Sequence, residues 1–117
     1  MRHLKKGRKF NRLTGDRRQF LRNLSNNLIR RGKIETTEAR AKSIKPAVEK
    51  LITLAKKQNL SSRRLVLSRT QDTRVTTKLF DNLAPKYLSR SGGYLRITKL
   101  SKARKRDGTI LTTIEFV

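Results

Sequence analysis

The chain has 117 residues, with 31 Lys and Arg against eight Asp and Glu, a formal charge of +23 at pH 7. That length holds one domain and excludes two cores of ordinary size, and the absence of cysteine excludes disulfides, thiolate metal sites and cysteine nucleophiles. Charge of one sign at this density opposes compaction unless a polyanion lies against the surface.

Residues 1–13 read as an extended basic arm. Arg2, Lys5, Lys6, Arg8, Lys9 and Arg12 crowd together with no acid among them, and only Leu4, Phe10 and Leu13 offer burial. Such a segment does not offset its ordering entropy alone, so it is expected to be mobile when free and to gain order on a partner. Thr14 is placed to cap a first helix, with Asp16 near its positive end. Phe20, Leu24 and Leu28, with Leu21 beside them, form its apolar stripe, and Gly32 ends it with a left-handed cap. Residues 33–36 alternate and predict a short strand. Thr36 or Thr37 then caps a second helix over 38–58, with Ala41, Ile44, Val48 and Leu51 at helical spacing. Pro46 inside that pattern predicts a kink in a single helix rather than two helices.

Asn59 and Ser61-Ser62 read as a break, followed by a short helix over 63–69 that buries Leu65 and Val66. Asp72 or Thr73 caps the next helix, with Val75, Leu79, Phe80 and Leu83 facing inward; Pro85 ends or turns it, or the helix continues through Tyr87 and Leu88. Gly92-Gly93 marks a turn. The period then changes to two over 94–100 and again over 110–116. This predicts a β-hairpin whose long basic tip carries Lys102, Arg104, Lys105 and Arg106, closed by Asp107-Gly108.

Catalysis has little to stand on. The one imidazole, His3, sits in the arm, where nothing fixes its geometry, and the eight carboxylates are scattered singly. Gly-rich phosphate loops and His/Cys metal spacings are absent. The chain therefore reads as no enzyme, with no cofactor and no small-molecule substrate. No stretch is long and apolar enough to span a bilayer, and no apolar core follows the basic start as a secretory signal requires. A membrane surface is disfavoured because the chain has no Trp and only four Phe for an amphipathic face.

Nucleic acid is the fitting polyanion, since each neutralised phosphate releases counterions. The cations are spread over arm, helices and hairpin tip, which suits folded RNA better than a single recognition helix in a DNA groove. The stripe of Arg8, Arg12, Arg17, Arg18 and Arg22 is the densest phosphate-facing set, because arginine holds phosphate bidentately. Tyr94, next to Gly93 and near Arg96, is read either as a face for a base or as an ordinary core residue at the start of a strand. An architectural DNA-binding protein is the alternative reading.

Several segments resemble one family. Met1-Arg2-His3, Lys5, Gly7-Arg8-Lys9 and Asn11-Arg12 look like the opening of the bacterial large-subunit ribosomal protein L17 family. Gly32-Lys33-Ile34, Thr36-Thr37, Ala41-Lys42, the run from Leu51 to Lys56, and Arg63-Arg64 resemble its middle. Lys78-Leu79-Phe80, Arg90, Gly92-Gly93-Tyr94 and Arg96-Ile97 resemble its last third. The resemblance implies a two-layer α+β fold with about four helices on a small three-stranded mixed sheet. It also implies a structural protein of the large ribosomal subunit, cytoplasmic or in an organellar ribosome, that binds ribosomal RNA near the outer end of the peptide exit tunnel beside neighbouring ribosomal proteins. With residues 1–13 as the arm and 14–117 as a single RNA-binding domain, the candidate RNA-binding residues are Arg2, His3, Lys5, Lys6, Arg8, Lys9, Asn11, Arg12, Arg17, Arg18, Arg22, Thr37, Arg40, Lys42, Arg63, Arg64, Arg90, Tyr94, Arg96, Lys102, Arg104, Lys105 and Arg106.

Overall fold

A computed structural model describes residues 3, 4 and 7–117. Helix α1 spans Thr14–Arg31 and strand β1 Lys33–Thr37; helix α2 spans Glu38–Ala55 and α3 Leu60–Thr70. Helix α4 (Thr73–Lys78) passes through a π-helical turn (Leu79–Leu83) into the short α5 (Ala84–Lys86), and strands β2 (Leu95–Ala103) and β3 (Ile110–Phe116) follow. Counting the run from α4 to α5 as one, four helical stretches pack with one three-stranded sheet, the expected α+β class. The sheet order is β1-β3-β2 and both pairings are antiparallel, so the expectation of a mixed sheet is corrected. The cause is topological: β3 returns from the hairpin into the slot between β2 and β1, running opposite to each.

Register sets the two faces. Ile34, Ile114 and Ile97 lie side by side on one face, and Lys33, Glu115 and Arg96 on the other. The apolar set belongs to the core or packs against it, while Lys33 and Arg96 are exposed, the alternation of a sheet covered on one side only. Helix α2 is the central helix, touching α1, α3, the π-helical turn and all three strands. Its Ala41, Ile44, Val48, Ile52 and Ala55 are fully buried, as the helical spacing predicts. Pro46 leaves α2 one continuous helix. It is exposed on the outer face, where water can serve the carbonyl that loses its partner.

The caps follow local chemistry, with three revisions. Gly32 ends α1 at φ 79°, and its N–H donates to the Leu28 carbonyl at 2.7 Å. Thr14 is not the cap of α1: Leu13 holds that position, with no side-chain bond. Asn59 caps α3 by accepting from the Ser62 N–H at 2.7 Å, so Ser61 and Ser62 form its first turn rather than a break. In the same helix Val66 is buried while Leu65 is 40% exposed, because only one narrow face of α3 meets the core. Pro85 does not end the helical path. The Ala84 N–H reaches back five residues to the Leu79 carbonyl, and this wider turn absorbs the proline that follows.

The C-terminal strand is fastened to the helices by aromatic rings. Tyr87 packs on Tyr94 at 5.3 Å and on Phe116 at 6.5 Å between ring centroids. The Tyr87 hydroxyl donates to the Val117 carbonyl at 2.7 Å.

Candidate nucleic-acid interface

The carboxylates are largely consumed within the protein. Arg30 pairs with Asp72, Lys42 and Lys99 with Glu38, Arg96 with Glu115, Lys102 with Glu35, and Arg104 with Asp107. Among the described residues these are the six cations in ion pairs, few beside the 31 of the chain, so most of the described basic surface is left without a local counter-charge. The pairs are largely exposed and solvent-screened, so they add little to stability. What they do is fix positions. Arg96 and Glu115 are register partners, at 3.0 Å, and Lys102 crosses the middle strand to reach Glu35 at 3.2 Å.

The arm and the first two helices share an aromatic anchor. Phe10 meets Phe20 edge-on at 5.7 Å, and the Arg12 guanidinium lies 3.8 Å from the centre of the Phe20 ring. Arg40, from α2, covers the same ring at 5.1 Å. Burial lowers the pKa of Arg40, with the nearby Arg104 and Arg12 adding repulsion in the same direction. Phe20 is therefore a half-buried platform for cations rather than part of the central core. Arg17 donates to the Arg12 carbonyl at 3.4 Å, and Arg8 donates to Ser43 Oγ at 3.3 Å. These contacts bring Arg8, Arg12, Arg17 and Arg40 together at the junction of arm, α1 and α2. His3, Lys9, Asn11 and Arg18 are exposed nearby in sequence. Arg2, Lys5 and Lys6 lie outside the described residues.

The remaining candidates divide by element. Arg22 donates to Gln71 Oε1 at 3.1 Å, an uncharged partner that leaves its charge uncompensated. Arg63 and Arg64 are exposed on α3, with Arg63 5.2 Å from the Phe80 ring centre. Arg90 donates to the Gly92 carbonyl at 3.3 Å in the turn before β2, where Gly93 takes φ 63°. At the hairpin tip Arg104 is tied to Asp107, whose carboxyl is held below its usual range chiefly by that hydrogen bond. Lys105 and Arg106 point outward without ion pairs among the described residues. Lys42 is partly committed to Glu38, whose carboxyl it lowers by hydrogen bond and charge.

Two candidates have structural work that accounts for them. Tyr94 is 1% exposed, with its ring in the core and its hydroxyl accepting from Lys56 Nζ at 3.0 Å. Its ring offers no free face to a base, so the reading as a strand-starting core residue holds. Thr37 is also buried and uses its hydroxyl to cap α2 at the Arg40 N–H. Lys50 and Arg69 stand outside the candidate set read from the sequence. Both are exposed and line two neighbouring clefts, one formed by α1, α2 and α3 and the other reaching Ser91 and Gly92. Helical spacing could have found Lys50, which follows Pro46 by four on the outer face of α2.

Among the described residues, no cluster of His, Asp and Glu could hold a metal ion, and no helix is long and apolar enough to cross a membrane.

Comparison with known proteins places this basic surface in context. The family model described as Ribosomal protein L17 matches residues 20–117. The chain is 46% identical over 117 residues to the large ribosomal subunit protein bL17 of Thermus thermophilus, covering all of this chain and 99% of that protein. It is 49% identical over 110 residues to the protein of the same name from Clostridium beijerinckii, with 94% and 96% of the two chains covered. The counterpart from Lawsonia intracellularis is 45% identical over 116 residues, with 99% and 92% covered.

Proposed function

The chain belongs to the ribosomal protein L17 family, and from that premise we propose that it is a structural component of the large ribosomal subunit that binds large-subunit ribosomal RNA through its basic surface. The family is one of ribosomal proteins rather than enzymes. The site of binding is near the outer end of the peptide exit tunnel, in the ribosome of the bacterial cytoplasm, beside neighbouring ribosomal proteins. The observation that carries the RNA reading is the charge distribution. Five of the eight carboxylates are engaged by local cations, while among the described residues Arg8, Arg12, Arg17 and Arg40 at the arm junction, Arg63 and Arg64 on α3, and Lys105 and Arg106 at the hairpin tip have no ion pair.

Binding proceeds by electrostatic capture and then ordering. The folded body docks on RNA helices, and residues 1–13 settle among phosphates that make their charge tolerable. Phe20 supports this step by holding Arg12 and Arg40 on opposite elements at one platform. Arginines held in this way meet phosphates with less side-chain entropy to lose.

The test is affinity for large-subunit ribosomal RNA against generic duplex DNA across a salt series. If six to ten phosphates are engaged, RNA affinity falls by roughly 10³- to 10⁵-fold between about 50 and 200 mM salt. Equal affinity for duplex DNA, with bending of the duplex, would favour an architectural DNA-binding role instead.

A further inference from the structure

A cleft of about 370 Å³ opens where α1, α2 and α3 meet. Leu21, Ile44, Pro46, Ala47 and Leu51 give it apolar walls. Among the described residues three cations, Arg22, Lys50 and Arg69, line it, and no carboxylate does. A fourth, Arg8 from the arm, reaches the lining Ser43 at 3.3 Å.

Asn26 also lines this cleft and is 6% exposed. Its Nδ2 donates to the Thr70 carbonyl at 3.0 Å. That bond fixes the amide orientation, since the reverse would set two carbonyl oxygens against each other. Asn26 Oδ1 is then left buried with no donor, the one such side-chain atom among the described residues. An unpartnered buried acceptor costs about 1–3 kcal/mol, so its presence beside a cleft asks for a donor from outside.

Apolar walls, an orphaned acceptor and a ring of uncompensated cations together describe one kind of ligand. It has flat apolar faces, an N–H on its edge and an attached phosphodiester. An aliphatic side chain from a neighbouring protein would fill the walls and leave both Oδ1 and the cations unanswered. We propose that the cleft receives one unstacked nucleobase of the RNA, its N–H edge donating to Asn26 Oδ1 and its flanking phosphates lying on Arg22, Lys50 and Arg69. This rests on the RNA-binding reading above and adds a base-specific contact to it.

Oδ1 is sealed from water, so the base reaches it only as the lining of the cleft gives way. Entry and satisfaction of the acceptor are thereby coupled. The strand has a path onward, because Lys50 and Arg69 also line the second cleft toward Ser91 and Gly92. Glu49 borders that second cleft and keeps phosphate to its Lys50 and Arg69 side. Single-stranded RNA is commonly read in this way, with a base out of the stack and its edge hydrogen-bonded.

The test uses large subunits depleted of this chain and reconstituted with the full-length wild type, Ala47→Trp or Asn26→Leu. Ala47 is exposed at the cleft, so the tryptophan blocks the mouth without entering the core. Hydroxyl radicals read the RNA backbone, and dimethyl sulfate and a carbodiimide read base edges. The wild type should protect the edge of an unpaired base inside its backbone footprint. Ala47→Trp should restore that base to its reactivity in depleted particles, keep the surrounding footprint, and weaken binding roughly 10- to 100-fold. Asn26→Leu, with a native circular dichroism spectrum, should do the same. Identical base reactivity for wild type and Ala47→Trp within an intact footprint would overturn the cleft inference and leave the RNA reading standing. Loss of a neighbouring ribosomal protein with every base unchanged would assign the cleft to a protein side chain and overturn it as well. No footprint from the wild type would overturn both readings.

Discussion

The Tyr94 hydroxyl joins α2 to the start of β2 through Lys56 Nζ at 3.0 Å. That charge-assisted bond holds its pKa below the ordinary phenol value, Lys56 being the leading cause. Tyr94→Phe should lose about 1–2 kcal/mol of stability in urea unfolding, with RNA affinity unchanged. A fall in RNA affinity at unchanged stability would return the residue to the interface. Asp72 works in the same structural sense. Its Oδ1 accepts from the Arg74 and Val75 N–H groups at 2.9 and 3.2 Å, and Arg30 pairs with its other oxygen. Its carboxyl is held below the usual range, first by the Val75 amide and then by Arg30. A depressed folded-state pKa means the stabilisation is complete above the unfolded value of about 3.9 and is lost as pH falls through the folded value. Asp72→Asn keeps the cap acceptor and should flatten the acid limb of the stability curve below about pH 4, measured by thermal unfolding across pH. An acid limb identical to that of the wild type would place the proton uptake elsewhere.

At the scale of elements, the legible parts were those where one local rule acts alone. The Gly32 cap, the β1 alternation, the inner face of Val75, Leu79, Phe80 and Leu83, and the hairpin all follow from period and turn chemistry. The parts that were not legible depend on neighbours. Leu65 sits at a plausible core spacing, yet the face of α3 that meets α2 is set by Val66 and Thr70. Whether Pro85 ends, turns or lets the helix pass is left open by the sequence, and the π-helical turn before it is what carries the helical path through to Lys86. Asn26 is a polar residue on the buried side of α1, beside Ser25 and Ile29 and off the Phe20, Leu24 and Leu28 stripe, and its significance lies in the Thr70 carbonyl from a helix forty-four residues away in sequence. For the arm, the contacts of Phe10 and Arg12 with Phe20 tie its end to the folded body without contributing to the central core. Deleting residues 1–13 should therefore leave helical circular dichroism nearly intact while lowering incorporation into the large subunit. Global unfolding of that truncation would move the domain boundary into the arm.

For the molecule as a whole, a small α+β core carries 31 Lys and Arg that its eight carboxylates do not balance, which leaves a net charge of +23. The local ion pairs orient particular side chains, and the surplus charge is left for phosphate. Composition made the class of partner legible, while the geometry that separates Tyr94 from the surface and gathers Arg12 and Arg40 on Phe20 needed the packed structure. If this chain is a structural part of the large ribosomal subunit, it co-sediments with that subunit when a cell lysate is run at moderate and high salt and the chain is followed by mass spectrometry. Co-migration that survives a moderate salt wash is expected. Migration with chromosomal DNA, or free at the top of the gradient, would rule the ribosomal role out.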